Sequence, residues 1–450
     1  MYGDSGPGPF DGRAGTIRNA RQLHNHVAEL IGSGELAVGD RLPTIREVAT
    51  VLELSPSTVA AAWALLRESD LVETKRRGGT TIADTRKGKT RTVQWSEIDL
   101  SWGYPQYDLH PALGRILVDA LREESLNVVG REYILPRLQR QLEPGWPFVP
   151  PAWTTAGGGT EAMYLALNAI AREGGPIGVE VPAAPGALDM LRELDVAAVT
   201  IHADEQGPLV DSVRAALAQG VSGIVLQPTG SYARFGRLSR QRMGELAAVL
   251  REAPAVWIVE DDTIGPLGPT ARVSLGEELA DRVLHVRCFC KAYGVDIRTA
   301  VLAGSAELVE RVNQARSNGY ASNSRILQNA LAGLIRDQGA AHSVSLATAA
   351  YARHRTLLLE ELRDAGLTAR AGADSLVVWV DIPDEAVALI NLARSGIDVG
   401  SGRTSYPGDE RHTPCLRIAV TQLPDDRRLI RELVDHISHA AVPELRELAH

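Results

Sequence analysis

From Ile98 to the C-terminus, short apolar runs of β-prone residues alternate with longer segments whose apolar residues recur at helical spacing. Nothing else in the chain restricts its fold as strongly, because strands joined by helix-length crossovers pair in parallel and bury both faces of their sheet. The runs are Ile177-Gly-Val-Glu-Val181, Gly223-Ile-Val-Leu226, Val256-Trp-Ile-Val259, Val283-Leu-His-Val286 and Ala300-Val-Leu-Ala303. An α/β domain with a mostly parallel sheet is expected over residues 98–450. Past about Ser343 a helical stretch is followed by fewer strands, Leu376 to Val380 and Leu416 to Val420, as in a small α+β C-terminal lobe of residues 343–450.

The preceding residues follow a different pattern. Residues 1–15 are rich in Gly and Pro and are expected to be a disordered lead-in. Ile17, Ala20, Leu23, Val27, Leu30 and Ile31 then mark one apolar helical face, stopped by Gly32 and Gly34. Thr44-Ile-Arg-Glu47 is a capping box for a second helix. Ser55 and Pro56 start a third, which continues through Val59, Trp63 and Leu66. Two β-prone runs, Leu71 to Thr74 and Thr80 to Ile82, flank the turn Lys75-Arg-Arg-Gly-Gly79. Three helices and a basic hairpin make a winged helix-turn-helix over residues 16–84, with 85–97 as the linker.

The formal charge of -9 argues against a protein that coats nucleic acid, yet Thr74 to Arg91 carries seven basic residues against Asp84. A recognition helix needs small polar residues at its start, which Ser55, Ser57 and Thr58 supply, and Lys75, Arg76, Arg77 and Gly78 form a wing tip able to approach DNA closely. A basic turn alone also fits a solvated loop; the order of the elements favours DNA. The three cysteines, Cys288, Cys290 and Cys415, have neither disulfide-framework nor zinc spacing, so no metal is expected. Apolar runs such as Val221 to Leu226 are far shorter than the ~20 residues of a membrane span. The first thirty residues lack a secretory signal's apolar core, so a cytoplasmic protein is expected, with no membrane partner.

Lysine use points to chemistry. The chain has four lysines, Lys75, Lys87, Lys89 and Lys291, against 43 arginines, so Lys291 stands alone from residue 90 onward. Guanidinium cannot replace lysine where an amine must deprotonate and form a Schiff base, and Lys291 follows an apolar run at a strand's carboxyl end. A chance surface lysine is the alternative. Trp257-Ile-Val-Glu-Asp-Asp262 brings carboxylates to another strand end, where one could keep the pyridine nitrogen of pyridoxal phosphate protonated or simply cap a turn. Gly157-Gly-Gly-Thr-Glu161 opens a helical pattern, an arrangement suited to phosphate or to a plain loop.

Two resemblances organise these features. Arg41-Leu-Pro-Thr-Ile-Arg-Glu-Val-Ala49, Leu54-Ser-Pro-Ser-Thr-Val59, Leu71-Val-Glu-Thr74 and the Gly-Gly wing resemble the GntR winged helix, which implies DNA contacts from Arg41, Arg46, the start of the recognition helix and the wing. Pro56 departs from the arginine usual there. Residues 98–450 resemble a fold-type-I aminotransferase domain, and Gln328, Gly339, His342, Tyr351 and Arg355 resemble the helical stretch of the MocR/GabR branch of GntR regulators. The resemblance implies pyridoxal 5'-phosphate as cofactor, with Gly159, Thr160 and Arg298 at its phosphate and Asp261 at its pyridine nitrogen. It further implies Lys291 as the Schiff-base lysine and Arg417 gripping an effector carboxylate.

Four positions depart from that pattern. Ala184 stands where a stacked ring is usual, Thr263 where a tyrosine meets the phenolic oxygen, and Ser125 at a partner-subunit tyrosine. Gln227 either replaces the usual asparagine or the motif has shifted into Ser231 to Phe235. The resulting expectation is a homodimeric transcription regulator that binds a DNA operator and responds to an amine or amino-acid effector, or to the cofactor itself, with its aminotransferase-like domain used as a sensor. The alternatives are a regulator whose lobe holds no cofactor and a working aminotransferase.

Overall fold

Leu23, Val27 and Leu30 recur at intervals of four and three and give the first helix, α1 (Ala20–Ser33), one buried face. Ile17 is buried just ahead of that helix, and Gly32 falls inside its last turn. The computed structural model describes residues 10, 17–33, 36–37, 39–68, 71–75, 79–83, 95–128, 130, 132–184, 186–317, 323–408 and 412–441. These fall into two units, Met1–Val93 and Gln94–His450.

In the first unit the expected capping box is formed. The Thr44 hydroxyl accepts from Glu47 N–H at 3.3 Å, and the Glu47 carboxylate accepts from Thr44 N–H at 2.7 Å, fixing the start of α2 (Ile45–Leu52). Ser55 Oγ accepts from Thr58 N–H at 3.1 Å and caps α3 (Pro56–Glu68), whose first residue is the proline. A bend of 118° separates α2 from α3, within the range of a helix-turn-helix. Strand β1 (Val72–Lys75) pairs antiparallel with β2 (Gly79–Ile82), and Val72 and Ile82 close the core over Val59, Trp63 and Leu66. Within the expected disordered lead-in, residues 1–15, the one described residue is Phe10. It is buried in this core with its ring edge-on to His26 at 6.2 Å, since an aromatic ring in a Gly/Pro segment gains most by leaving water.

The second unit carries the remaining strands. In chain order they are β3 (Asp99–Leu100), β4 (Ala152–Ala156), β5 (Ile177–Glu180), β6 (Ala198–Ile201), β7 (Ala203–Asp204), β8 (Gly207–Pro208) and β9 (Gly223–Leu226). There follow β10 (Trp257–Asp262), β11 (Val283–Cys288), β12 (Ala300–Gly304), β13 (Ala369–Arg370), β14 (Val377–Asp381), β15 (Asp398–Ser401) and β16 (Cys415–Ala419). The main sheet has the order β4-β12-β11-β10-β9-β5-β6. It is mostly parallel, as expected, and β12 runs antiparallel to both neighbours. The five apolar runs read from the sequence are all strands of this sheet. Helix Gly159–Ala171 packs Ala162, Ala166 and Ile170 onto Val225, Val259 and Val286, which anchors its N-terminus beside the ends of β10 and β11.

A second sheet, β13-β14-β16-β15-β3, forms the small lobe behind helix Gln338–Asp364. Its edge strand β3 comes from residues 99–100, pairing parallel with β15, a contribution the sequence reading leaves out. The chain then runs from this edge across to the main sheet through Trp102 to Pro105. Tyr351 on the long helix holds this region, its hydroxyl accepting from Gln106 N–H at 2.9 Å, while Arg355 on the same helix donates to the Ser375 carbonyl at 3.0 Å, just ahead of β14. No single helix among the described residues is long and apolar enough to cross a membrane.

Candidate functional site

The carboxyl ends of β10 and β11 open into a cavity of about 380 Å³, the position at which open α/β sheets receive ligands. Pleating sorts the three carboxylates of β10. Asp261 borders the cavity, while Glu260 and Asp262 face the other side of the sheet. There His285 lies between them, its Nδ1 at 2.7 Å from Glu260 and its Nε2 at 3.2 Å from Asp262. Burial works against a charged imidazole, but the bonds to Asp262 and Glu260 outweigh it and raise the His285 pKa. Burial likewise opposes the Asp262 carboxylate, yet Arg287 at 2.7 Å, His285 and Arg272 hold its pKa well below the ordinary range. This buried charge cluster fixes the strand on which Asp261 sits. Asp261 itself accepts from Thr263 N–H at 2.9 Å, and burial raises its pKa.

Lys291 lies in the short helix Cys290–Tyr293 just past β11. Its Nζ donates to the Thr263 carbonyl at 3.2 Å and stands 5.5 Å from the centre of the Tyr232 ring. Burial disfavours the ammonium, but Tyr232, Cys288 and Asp261 around it raise its pKa on balance. Across the cavity the helix Gly159–Ala171 presents Gly159 and Thr160. Its N-cap, Gly158, has φ +107, and a Cβ there would stand 3.3 Å from Arg298 Cζ. Arg298 is itself held at φ 27, an uncommon conformation for a residue with a side chain, and Asn323 Nδ2 donates to its carbonyl at 3.3 Å. Lys291, Asp261, Gly159, Thr160 and Arg298 therefore border one cavity.

Arg417 does not border it but lies behind its wall. It is 3% exposed on β16, donates to Ser405 Oγ at 3.2 Å and to the Ser101 carbonyl at 3.1 Å, and its Nε has no hydrogen-bond partner. Ala184 borders the cavity and packs on the cluster around Tyr232, so a methyl group stands at the position where the resemblance implies a stacked ring. Thr263 also borders it. Gln227 lies outside, donating to the Pro182 carbonyl at 2.9 Å and accepting from Tyr232 N–H at 3.3 Å, so it braces the loop that delivers Tyr232. Ser125 is bonded to Asn329 at 3.0 Å away from the cavity. Sequence reasoning missed Tyr232, Trp102, Tyr104 and the thiols of Cys288 and Cys290, all of which border the cavity. Tyr232 lay within the Ser231 to Phe235 segment where the motif is ambiguous, and Trp102 and Tyr104 reach the cavity only because β3 joins the small lobe.

In the first unit, the Arg41 guanidinium lies against Gly79, where a Cβ would come within 2.7 Å of its Nε. Arg46, Ser55 and Ser57 are exposed and Thr58 is half-buried, with Ser55 Oγ joined to the hydroxyls of Ser57 and Thr58 at 2.8 and 2.7 Å. Arg76, Arg77 and Gly78, the Lys75 side chain and the linker through residue 94 lie outside the described residues.

Comparison with known proteins identifies both units. Residues 19–82 match the bacterial regulatory proteins of the gntR family, and residues 117–437 match aminotransferase class I and II. A vitamin B6 salvage pathway transcriptional repressor, PtsJ, of Salmonella typhimurium is 25% identical over 91% of this chain and 95% of its own length. A pyridoxine biosynthesis transcriptional regulator, PdxR, of Corynebacterium glutamicum is 27% identical over 54% of this chain and 55% of its own. Among solved structures, an archaeal alanine:glyoxylate aminotransferase superposes with a TM-score of 0.67 at 20% identity, covering 76% of this chain and 90% of that one, a likeness of fold. The chain belongs to the aminotransferase class I and II family and carries a gntR-family DNA-binding domain at its N-terminal end.

Proposed function

We propose that this protein is a ligand-responsive transcription regulator whose aminotransferase-like unit binds pyridoxal 5'-phosphate at Lys291 and whose winged helix binds operator DNA. One observation carries the reading: Lys291, Asp261, Gly159, Thr160 and Arg298 border a single cavity in a chain that also contains a gntR-family domain. The cavity fits the cofactor's chemistry. The Gly158 cradle, which a Cβ would fill, lets an anion approach the helix N-terminus beside the Arg298 guanidinium. Asp261 is a buried carboxylate suited to a cationic ring nitrogen, and Lys291 Nζ has a backbone carbonyl at 3.2 Å as its hydrogen-bond acceptor.

When bound, the cofactor supplies an electrophilic carbonyl that exchanges one amine for another. The chain's own residues set what that exchange reports. Lys291 must lose a proton from Nζ to act as a nucleophile, and Tyr232, Cys288 and Asp261 around it hold that proton on against the effect of burial. Asp261, whose charge burial disfavours, would be matched by a cationic ring nitrogen, and the cluster around His285 keeps the strand from yielding. Arg417, with an unpartnered Nε but buried behind the cavity wall, would meet a carboxylate on an amino-acid effector only if that wall moves. Because β3 and the Trp102 to Pro105 strap join the small lobe to the cavity, an effector that favours one lobe position shifts the unit between two arrangements, and its differential affinity sets the change in DNA occupancy. Two chains pairing about a dyad would read repeated half-sites. The relatives named for vitamin B6 pathways make the cofactor itself one candidate effector.

Ala184 and Thr263 favour a second reading, a regulator whose lobe serves as a scaffold without cofactor. Selection of duplexes from a random library by the full-length protein, followed by titration of an enriched duplex with and without pyridoxal phosphate, separates these. The proposal expects enriched half-sites, an affinity altered by the cofactor, and no alteration in Lys291→Ala. Lack of enrichment contradicts DNA recognition, and an identical response in Lys291→Ala contradicts the sensing role.

A further inference from the structure

The cavity contains two groups that the proposed function does not use. Cys288 ends β11 and Cys290 begins the next helical turn, and both border the cavity on either side of Phe289, next to Lys291. Two of the chain's three cysteines thus share one small space. Cys288 meets the N-terminus of helix Gly159–Ala171, where a Cβ on Gly159 would stand 3.2 Å from its Sγ. The mouth of the cavity admits solvent, since Trp102 and Tyr104 on its border are 43% and 53% exposed.

We infer that Cys288 and Cys290 form a hydroperoxide-reactive thiol pair, a modification site within the cavity, and that its oxidation closes the anion cradle at Gly159. The inference rests on the cofactor reading only for its consequence; the thiol chemistry stands on the cavity itself. A thiolate is stabilised by a helix N-terminus and by an ammonium, and Cys288 has both. Its pKa is lowered, first by its neighbour Cys290 and then, against the effect of burial, by the Lys291 ammonium, while the partner Cys290 is pushed up and keeps its proton. One sulfur is thus suited to attack and the other to resolve.

The steps balance. Cys288 thiolate attacks the distal oxygen of a hydroperoxide, the O–O bond breaks, and the peroxide leaves as hydroxide or alkoxide while Cys288 becomes a sulfenic acid. Cys290 then attacks that sulfur, the S–O bond breaks, the hydroxyl takes the Cys290 proton, and water leaves as the disulfide forms. Two thiols are oxidised and one hydroperoxide is reduced. Bridging cysteines separated by one residue moves Cys288 Sγ away from the Gly159 N–H and pulls the turn bearing Lys291. Two successive thiol–disulfide exchanges with an external dithiol reverse it, the dithiol leaving as its own disulfide while both cysteines regain their protons.

Wild-type protein treated with one equivalent of hydrogen peroxide, alkylated and mapped by mass spectrometry tests the pair directly. The expected result is a peptide containing residues 288–290 that lacks two hydrogens and resists alkylation, while Cys415, buried elsewhere, remains alkylatable after unfolding. In Cys290→Ser a dimedone adduct should appear on Cys288, and in Cys288→Ser none on Cys290. Complete alkylation of both cysteines after peroxide would overturn the inference. Pyridoxal phosphate uptake by the oxidised protein is expected to be roughly tenfold weaker and to recover with dithiothreitol, the scale of losing one hydrogen bond to a charged group. Disulfide formation with unchanged uptake would overturn the gating role. If the reduced protein takes up no cofactor at Lys291, the cofactor reading fails, and the peptide map still decides the thiol chemistry.

Discussion

Replacing Gly158 by alanine tests how the anion cradle is built. Gly158 precedes the helix Gly159–Ala171 with φ +107 and ψ 174, a conformation open to glycine and strained for any residue with a Cβ, at ~1–3 kcal/mol. The added carbon would also meet Arg298 Cζ at 3.3 Å and Nη1 at 3.4 Å, so the guanidinium must shift by a few tenths of an ångström. For a unit spanning residues 94–450 that strain lowers the melting temperature by ~1–4 °C. Misdirecting one charged donor weakens binding of a phosphorylated ligand by roughly ten- to a hundred-fold. The assay is thermal unfolding of the unliganded protein together with titration by pyridoxal phosphate. Gly174→Ala is the control: it has φ +73 with open space around the added carbon, so it carries backbone strain without touching the cradle. The reasoning predicts destabilisation in both variants and lost affinity in Gly158→Ala alone. Wild-type affinity in Gly158→Ala, or an equal loss in both, refutes it.

Other consequences follow from the buried carboxylate and the winged helix. Burial pushes the Glu180 pKa up to about 8 from 4.5, with its carboxylate accepting from Gln227 N–H at 2.6 Å. A raised folded pKa means its stabilisation is complete below pH 4.5 and is lost as pH rises through about 8. Melting curves between pH 6 and 8.5 should therefore fall more steeply for wild type than for Glu180→Gln, and parallel curves would count against that assignment. Ser55→Ala removes the acceptor that caps α3 and should cost about 1 kcal/mol in the N-terminal unit, read from chemical denaturation. Arg46→Ala should weaken duplex binding and reduce the slope of log affinity against log salt by about one, without changing the far-ultraviolet spectrum; an unchanged slope would remove Arg46 from the DNA surface.

The sequence discloses elements whose signal is local. Thr44, Ser55 and Pro56 mark helix starts because capping acts within one turn, and the apolar runs mark strands buried on both faces. Strand direction is not local. Ala300 to Gly304 reads like its parallel neighbours but runs antiparallel, since a run buried on both sides has the same composition either way. The polar-looking β4 was missed because Thr154 and Thr155 are buried, their hydroxyls donating to Asn313 Oδ1 at 2.7 Å and the Tyr133 carbonyl at 2.6 Å. At the cavity, the scarcity of lysine points to Lys291, and pleating tells Asp261 from Glu260 and Asp262 once the strand is built. Tyr232 and Trp102 come from distant segments, so neither spacing nor composition announces them. The thiols were visible as residue types, but their shared cavity is a property of the turn after β11.

The central claim is that Lys291 is the residue on which this protein holds pyridoxal phosphate. The most direct measurement is borohydride reduction of the full-length protein with the cofactor, followed by peptide mass spectrometry and a visible spectrum before reduction. The account predicts a new visible absorption band and one stable adduct on Lys291, absent from Lys291→Ala. No adduct, or modification scattered over Lys75, Lys87 and Lys89, would contradict it and leave the aminotransferase-like unit as a scaffold.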